Sequence, residues 1–144
     1  MEHTLRSGDV LLVVKPGKYR RGQVVICRYP KRVKRGLSIG ASLSLEMHTL
    51  FVKRLVALQG DTVEILEGQL WVNGELAPDP AAMASPPRDM EKRTLRRNEY
   101  FVMGDNRRFS HDSRAKNVGP ISASMLRGHA VWVLFPPSHA GRIR

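Results

Sequence analysis

The sequence predicts a mainly β domain in which short antiparallel hairpins form a folded sheet or partial barrel with little helix. Three observations predict it. The apolar runs are short and are bounded by Gly, Pro, Asn or Asp, which is the punctuation of strands. Asn73-Gly74 stands between two such runs, the strongest short-range signal for a tight hairpin turn. No heptad, internal repeat or long amphipathic stretch competes with this reading.

Taken in order, Ser7-Gly8-Asp9 marks a turn, and Val10–Lys15 reads as a strand ended by Pro16-Gly17. Gly22–Tyr29 reads as a second strand, closed by Pro30, and the two are expected to pair across the basic turn Lys18–Arg21. Over about residues 30–47 the composition changes to basic residues, then glycine and serine, so a mobile basic loop is expected. His48–Gln59 is the longest strand candidate. In an extended chain Thr49, Phe51, Lys53, Leu55 and Ala57 share one face, and Leu50, Val52, Arg54, Val56 and Leu58 the other. Both faces are mostly apolar, as in a central strand covered on both sides. Turns at Gly60-Asp61, Glu67-Gly68 and Asn73-Gly74 separate the strands Thr62–Leu66 and Gln69–Val72. A Pro-rich loop is expected over about residues 78–92, with Pro78, Pro80, Pro86 and Pro87 among small residues. Glu99–Met103 is a strand that enters the polar run Gly104–Arg114. Pro120–Leu126 reads as one helical turn capped by Ser122, Gly128–Phe135 as a closing strand, and Pro136–Arg144 as a basic tail.

The 144 residues suit a single domain with its own core. The one cysteine, Cys27, rules out an internal disulfide, and its apolar neighbours make it a small buried hydrophobe rather than a nucleophile. A net charge of +11 points to an anionic partner. The basic clusters, Lys31–Arg35 and Arg93–Arg97, have few aromatics between them, which argues against base stacking and leaves backbone or membrane-surface attraction. A solvated face is the commonest meaning of such runs. No apolar run approaches the roughly 20 residues that span a bilayer, and the chain as given is expected to be soluble.

Two features carry chemistry. Lys53 stands between Phe51 and Leu55 on an apolar face, where burial disfavours the ammonium form and frees a neutral amine to act as a base; a lysine snorkelling to water fits the same pattern. The run GDNRRFSHDSR, Gly104–Arg114, holds two carboxylates, two hydroxyls and three arginines. That density suits a rigid support for a site, or a solvated turn whose ion pairs contribute little. His3, His48, His111, His129 and His139 lack zinc-like spacing, so no metal site and no cofactor are expected. Arginines beside Asp105 and Asp112 should keep both ionised, as acceptors rather than as an acid.

The run Phe51–Val63 followed by Asn73-Gly74 resembles the lysine-bearing block of type I signal peptidases, the Ser/Lys proteases that remove signal peptides from exported proteins. GDNR, then Ser110 and Asp112-Ser113-Arg114, resembles the last block of that family, with Gly119 and Gly128 in step. Ser7–Val13 resembles the block after the nucleophile. The resemblance covers essentially the whole chain. It implies that Lys53 is the general base, that Ser110 orients it, and that Asp105, Arg107, Asp112 and Arg114 form the scaffold behind it. It implies further that Leu50, Phe51 and Val52 pair with an extended substrate, with Met1, Leu5 and Val52 near pockets for small residues. The partners implied are preprotein signal peptides and an anionic membrane surface, with no specific nucleic acid, and the chain is taken as a monomer. The full-length family is placed at the cytoplasmic membrane with the catalytic domain on the outer face.

The sequence departs from the family at its start. There the nucleophilic serine immediately precedes a methionine, in the pattern Ser-Met-x-Pro-Thr-apolar. Met1-Glu2-His3-Thr4-Leu5 follows that pattern from the methionine onward, with His3 in place of proline, and the serine is not among the 144 residues. Ser7 belongs to a turn and is no substitute. The expectation is that Met1 is an internal methionine of a longer enzyme, the alternative being a truncated relative. In either case this chain is expected to be inactive by itself. Two other readings remain open: an inactive homologue that binds peptide or lipid, and a self-cleaving repressor-like Ser/Lys domain.

Overall fold

The computed structural model describes residues 1, 4–29, 50–78 and 89–143. Two antiparallel sheets make up the fold. The larger contains β1 (Val10–Val14), β2 (Val24–Arg28), β3 (Leu50–Ala57), β8 (Glu99–Met103), β9 (Ile121–Ser122), β10 (Leu126–Phe135) and β11 (Gly141–Arg142). Its order is β1-β10-β2-β3-β8-β9, with β11 also on β10. The smaller has the order β6-β5-β4-β7, from β4 (Thr62–Leu66), β5 (Gln69–Val72), β6 (Glu75–Leu76) and β7 (Met90–Thr94). Neither sheet closes into a barrel, and the only helical segments described are single 3-10 turns.

The small sheet follows the sequence signals closely. Glu67 and Gly68, then Asn73 and Gly74, all have positive φ, the backbone of two-residue turns whose twist matches the strands they join. The alternation of β4 and β5 turns Val63, Ile65, Leu70 and Val72 inward, against Val56, Ala57, Leu95, Phe101 and Met103. Full burial of each such side chain stabilises the fold by about 1.5–3 kcal/mol.

Four expectations are corrected. β1 and β2 do not form a hairpin: β10 lies between them, pairing Val14 with His129 and His129 with Val25. Gly128 permits this approach, since a Cβ there would fall 2.7 Å from the Val14 carbonyl oxygen. The Pro-rich loop ends before residue 92, because Met90–Thr94 pairs with β4. Ser122 precedes a 3-10 turn, Ala123–Met125, but its side chain makes no capping bond; its Oγ lies 2.7 Å from Ser124 Oγ. The basic tail contains β11 and a second 3-10 turn, Pro137–His139. The expected basic loop at 30–47 and most of the Pro-rich segment lie outside the described residues.

β3 is the central strand of the site. β2 pairs with it from Leu50 to Arg54, whereas β8 pairs with it only at Arg54, Leu55 and Ala57. Over Leu50–Lys53 no described strand occupies the edge facing away from β2, and this leaves an open lane that ends where β8 begins.

Candidate active site

Lys53 sits at the end of that lane, pairs with Val25 of β2, and retains 9% of its surface exposed. Its Nζ lies 2.7 Å from Ser110 Oγ and 6.0 Å from the centroid of the Phe51 ring. Burial pushes the amine below the ordinary lysine value, against the opposing pull of the Asp112 carboxylate. Desolvation wins because most of the surroundings are apolar: Val25, Cys27, Leu55 and Val102 are fully buried in the cluster on which Phe51 packs. Cys27 belongs to this wall, as expected; burial pushes its thiol up to about 11, and the thiol lies 3.6 Å from the Phe51 carbonyl oxygen.

The loop that begins at Gly104 supplies the polar half. Asp112 is fully buried and accepts bonds from Arg114 Nε (2.8 Å), Arg114 Nη2 (2.9 Å) and the Gly104 N–H (3.0 Å). Burial alone would raise its carboxyl, but the Arg114 bonds and the Gly104 amide outweigh it and hold the group below the usual carboxylate range. Ser113 extends the sheet: its Oγ accepts the Val102 N–H at 3.0 Å, and its own N–H reaches the Val102 carbonyl at 3.1 Å. The loop is thereby closed on itself at the residue before β8 ends and at the residue after it.

Asp105 lies on the other side of β3. It is fully buried and held by Arg54 through two bonds of 2.9 Å, while Thr4 Oγ1 donates to the same carboxylate. Arg54 also donates to the Gly22 carbonyl at 2.7 Å. Arg107, also expected in the scaffold, is buried with Nη1 2.9 Å from Met103 Sδ, and burial lowers its guanidinium to about 10. Met1 and Val52 pack on a cluster containing Leu5, Val24 and Ile26, next to the lane, and Leu50 is exposed at its mouth.

Sequence reasoning missed three contributors. Arg54 was read only as a strand residue, although its position beside Lys53 sends it to the opposite face, where Asp105 lies. Ser113 had a signal in the DSR triplet but no assigned task. Gly104 was read only as the first residue of the polar run, and its φ is not positive. Its smallness matters for another reason, since a Cβ there would come within 2.2 Å of Ser110 Oγ and 3.4 Å of Lys53 Nζ.

The described residues thus bring a buried amine within 2.7 Å of a hydroxyl at the end of an unpaired strand edge, and the comparisons with known proteins decide the family. The profile of the family described as signal peptidase, peptidase S26, matches residues 1–135. The chain belongs to this family. It is 31% identical over 142 residues to thylakoidal processing peptidase 1 of Arabidopsis thaliana, covering 96% of this chain and 40% of that protein. It is 31% identical over 150 residues to signal peptidase I of Bacillus licheniformis, covering 94% of this chain and 72% of that protein. The fold resembles that of a signal peptidase I from Enterococcus faecalis V583, with a TM-score of 0.53 and 24% identity, over 82% of this chain and 98% of that one. The chain thus spans less than half of the Arabidopsis relative, and among its described residues no helix is long and apolar enough to cross a membrane.

Proposed function

We propose that this chain is the base-bearing part of a serine endopeptidase that removes signal peptides from exported preproteins. The observation that carries the reading is the 2.7 Å contact between Ser110 Oγ and the buried Lys53 Nζ. In this mechanism an extended precursor adds as a strand beside Leu50–Val52, which brings its scissile carbonyl to the end of the lane. A serine hydroxyl attacks the carbonyl carbon as neutral Lys53 takes its proton, and the amide nitrogen leaves with a proton from the resulting ammonium. Lys53, neutral again, then deprotonates the water that cleaves the acyl-enzyme. Ser110 keeps the amine pointed at the reacting atoms, while Asp112 and Arg114 fix Ser110.

Ser110 already serves the lysine, so in this reading a second hydroxyl makes the attack, and the family's order of residues would put it next to Met1. The test is cleavage of a signal-peptide-bearing precursor by the chain as it stands and by one with serine placed immediately before Met1. Cleavage by the second, and its loss on Lys53→Met, supports the reading; no cleavage by either, or survival of activity in Lys53→Met, refutes it, and cleavage by the first would move the attacking hydroxyl into the 144 residues.

The same reading places the chain at a membrane, with the domain on its outer face. Val10, Leu12, Trp132, Leu134 and Phe135 are exposed on the paired strands β1 and β10, and the net charge of +11 favours an anionic bilayer. Sedimentation with anionic vesicles that weakens on Trp132→Ser supports the placement; binding indifferent to that change counts against this surface.

A further inference from the structure

We propose that Phe109 is a contact residue for the peptide segment that follows the scissile bond. This rests on the reading of Leu50–Lys53 as the substrate lane. Among the described residues no strand pairs with the lane edge of Leu50–Lys53, but from Arg54 onward the same edge of β3 is filled by β8, with Met103 opposite Arg54. An extended peptide in the lane therefore cannot run straight on past Lys53. It must leave the edge over the loop that starts at Gly104, where the chain departs from β8.

The part of that loop nearest the base presents an apolar group to solvent. Ser110 holds Lys53 Nζ, and the residue before it, Phe109, is 78% exposed, more than any other large hydrophobic side chain described. Arg108 stands 5.5 Å from the centroid of its ring and steadies it from one side. The loop's internal bonds do not need the phenyl group: its closure runs through Asp112, Arg114 and Ser113. An aromatic ring exposed on this loop, on the residue before the hydroxyl that meets the buried base, suits capture of the emerging chain. It offers a large contact area at low cost in side-chain freedom. Arg108 beside it favours an acidic or aromatic side chain in that segment over a basic one.

Two synthetic peptides separate this inference from the reading beneath it. One carries small residues before the cleavage point and stops there; the other continues for several residues, including an acidic one. Affinity for the 144-residue chain is measured by calorimetry, for wild type, Phe109→Ala and Val52→Pro, the last removing a backbone N–H from the lane. The expected result is that Phe109→Ala binds the longer peptide about tenfold more weakly and the shorter one unchanged, while Val52→Pro weakens both. If Phe109→Ala binds both peptides as wild type does, the role of Phe109 is overturned and the lane stands. If Val52→Pro has no effect on either peptide, or wild type binds neither, the lane reading falls and the inference falls with it.

Discussion

Lys53 and Arg54, consecutive in β3, grip one loop from opposite faces of the sheet. Lys53 Nζ meets Ser110 Oγ at 2.7 Å, and Arg54 holds Asp105 through two 2.9 Å bonds. Because successive strand side chains point to opposite faces, the loop from Gly104 to Arg114 straddles the edge of β3 just where β8 stops covering it. The base is thereby fixed by its own strand and by a loop that meets that strand at Asp105 and at Ser110.

The buried amine makes stability depend on pH. In the unfolded chain Lys53 holds its proton up to about pH 10.4, whereas burial makes the folded protein release it at lower pH. Between those values the unfolded state binds more protons, so stability rises with pH across that window. Lys53→Met is expected to stabilise the protein most below the folded-state pKa, with the gain shrinking toward pH of about 10.4. Urea unfolding of both proteins over that range measures it; a gain that grows with pH contradicts the assignment.

Gly104 is expected to tolerate no side chain while Ser110 is in place. Gly104→Ala should cost about 1–3 kcal/mol, typical of overpacking at a site that cannot relax. In a Ser110→Gly background, where the atoms that the new methyl meets are gone, the cost should drop by more than about 0.5 kcal/mol. Equal costs in the two backgrounds would place the strain elsewhere.

Asp105→Ala takes the carboxylate away from the buried Arg54 guanidinium and is expected to cost about 3–5 kcal/mol. Replacing both, as Arg54→Met with Asp105→Leu, should recover at least half of that loss. Chemical denaturation midpoints of wild type and the two variants give the comparison, and a double variant no better than Asp105→Ala would show that the ion pair is not the source of the cost.

Much of this site can be read in the sequence because its residues sit against their surroundings: a lysine within an apolar strand, and charges packed into a short loop. β3, β4, β5 and β8 were legible because their periods and turns are local. The pairing of β1 was not, since its partner β10 lies more than a hundred residues away and nothing near Pro16 records it. β7 escaped notice because Glu91, Lys92 and Arg93 read as polar loop; as an edge strand that exposes four of its five residues, it has no need of apolar alternation. Asp105 was placed in the scaffold by the family resemblance alone, and its bond to Arg54, across 51 positions, becomes visible only when the strand and the loop are brought together. The need for Gly104 to lack a side chain is likewise set by a residue six positions on.

The measurement that bears most directly on the account is the titration of Lys53 itself, followed by NMR of its side-chain carbons in wild type and in Ser110→Ala. The account predicts a pKa below the ordinary lysine value, and a changed side-chain signal when the Ser110 hydroxyl is removed. A Lys53 that titrates like a surface lysine, near pH 10.4, and ignores Ser110→Ala would contradict it.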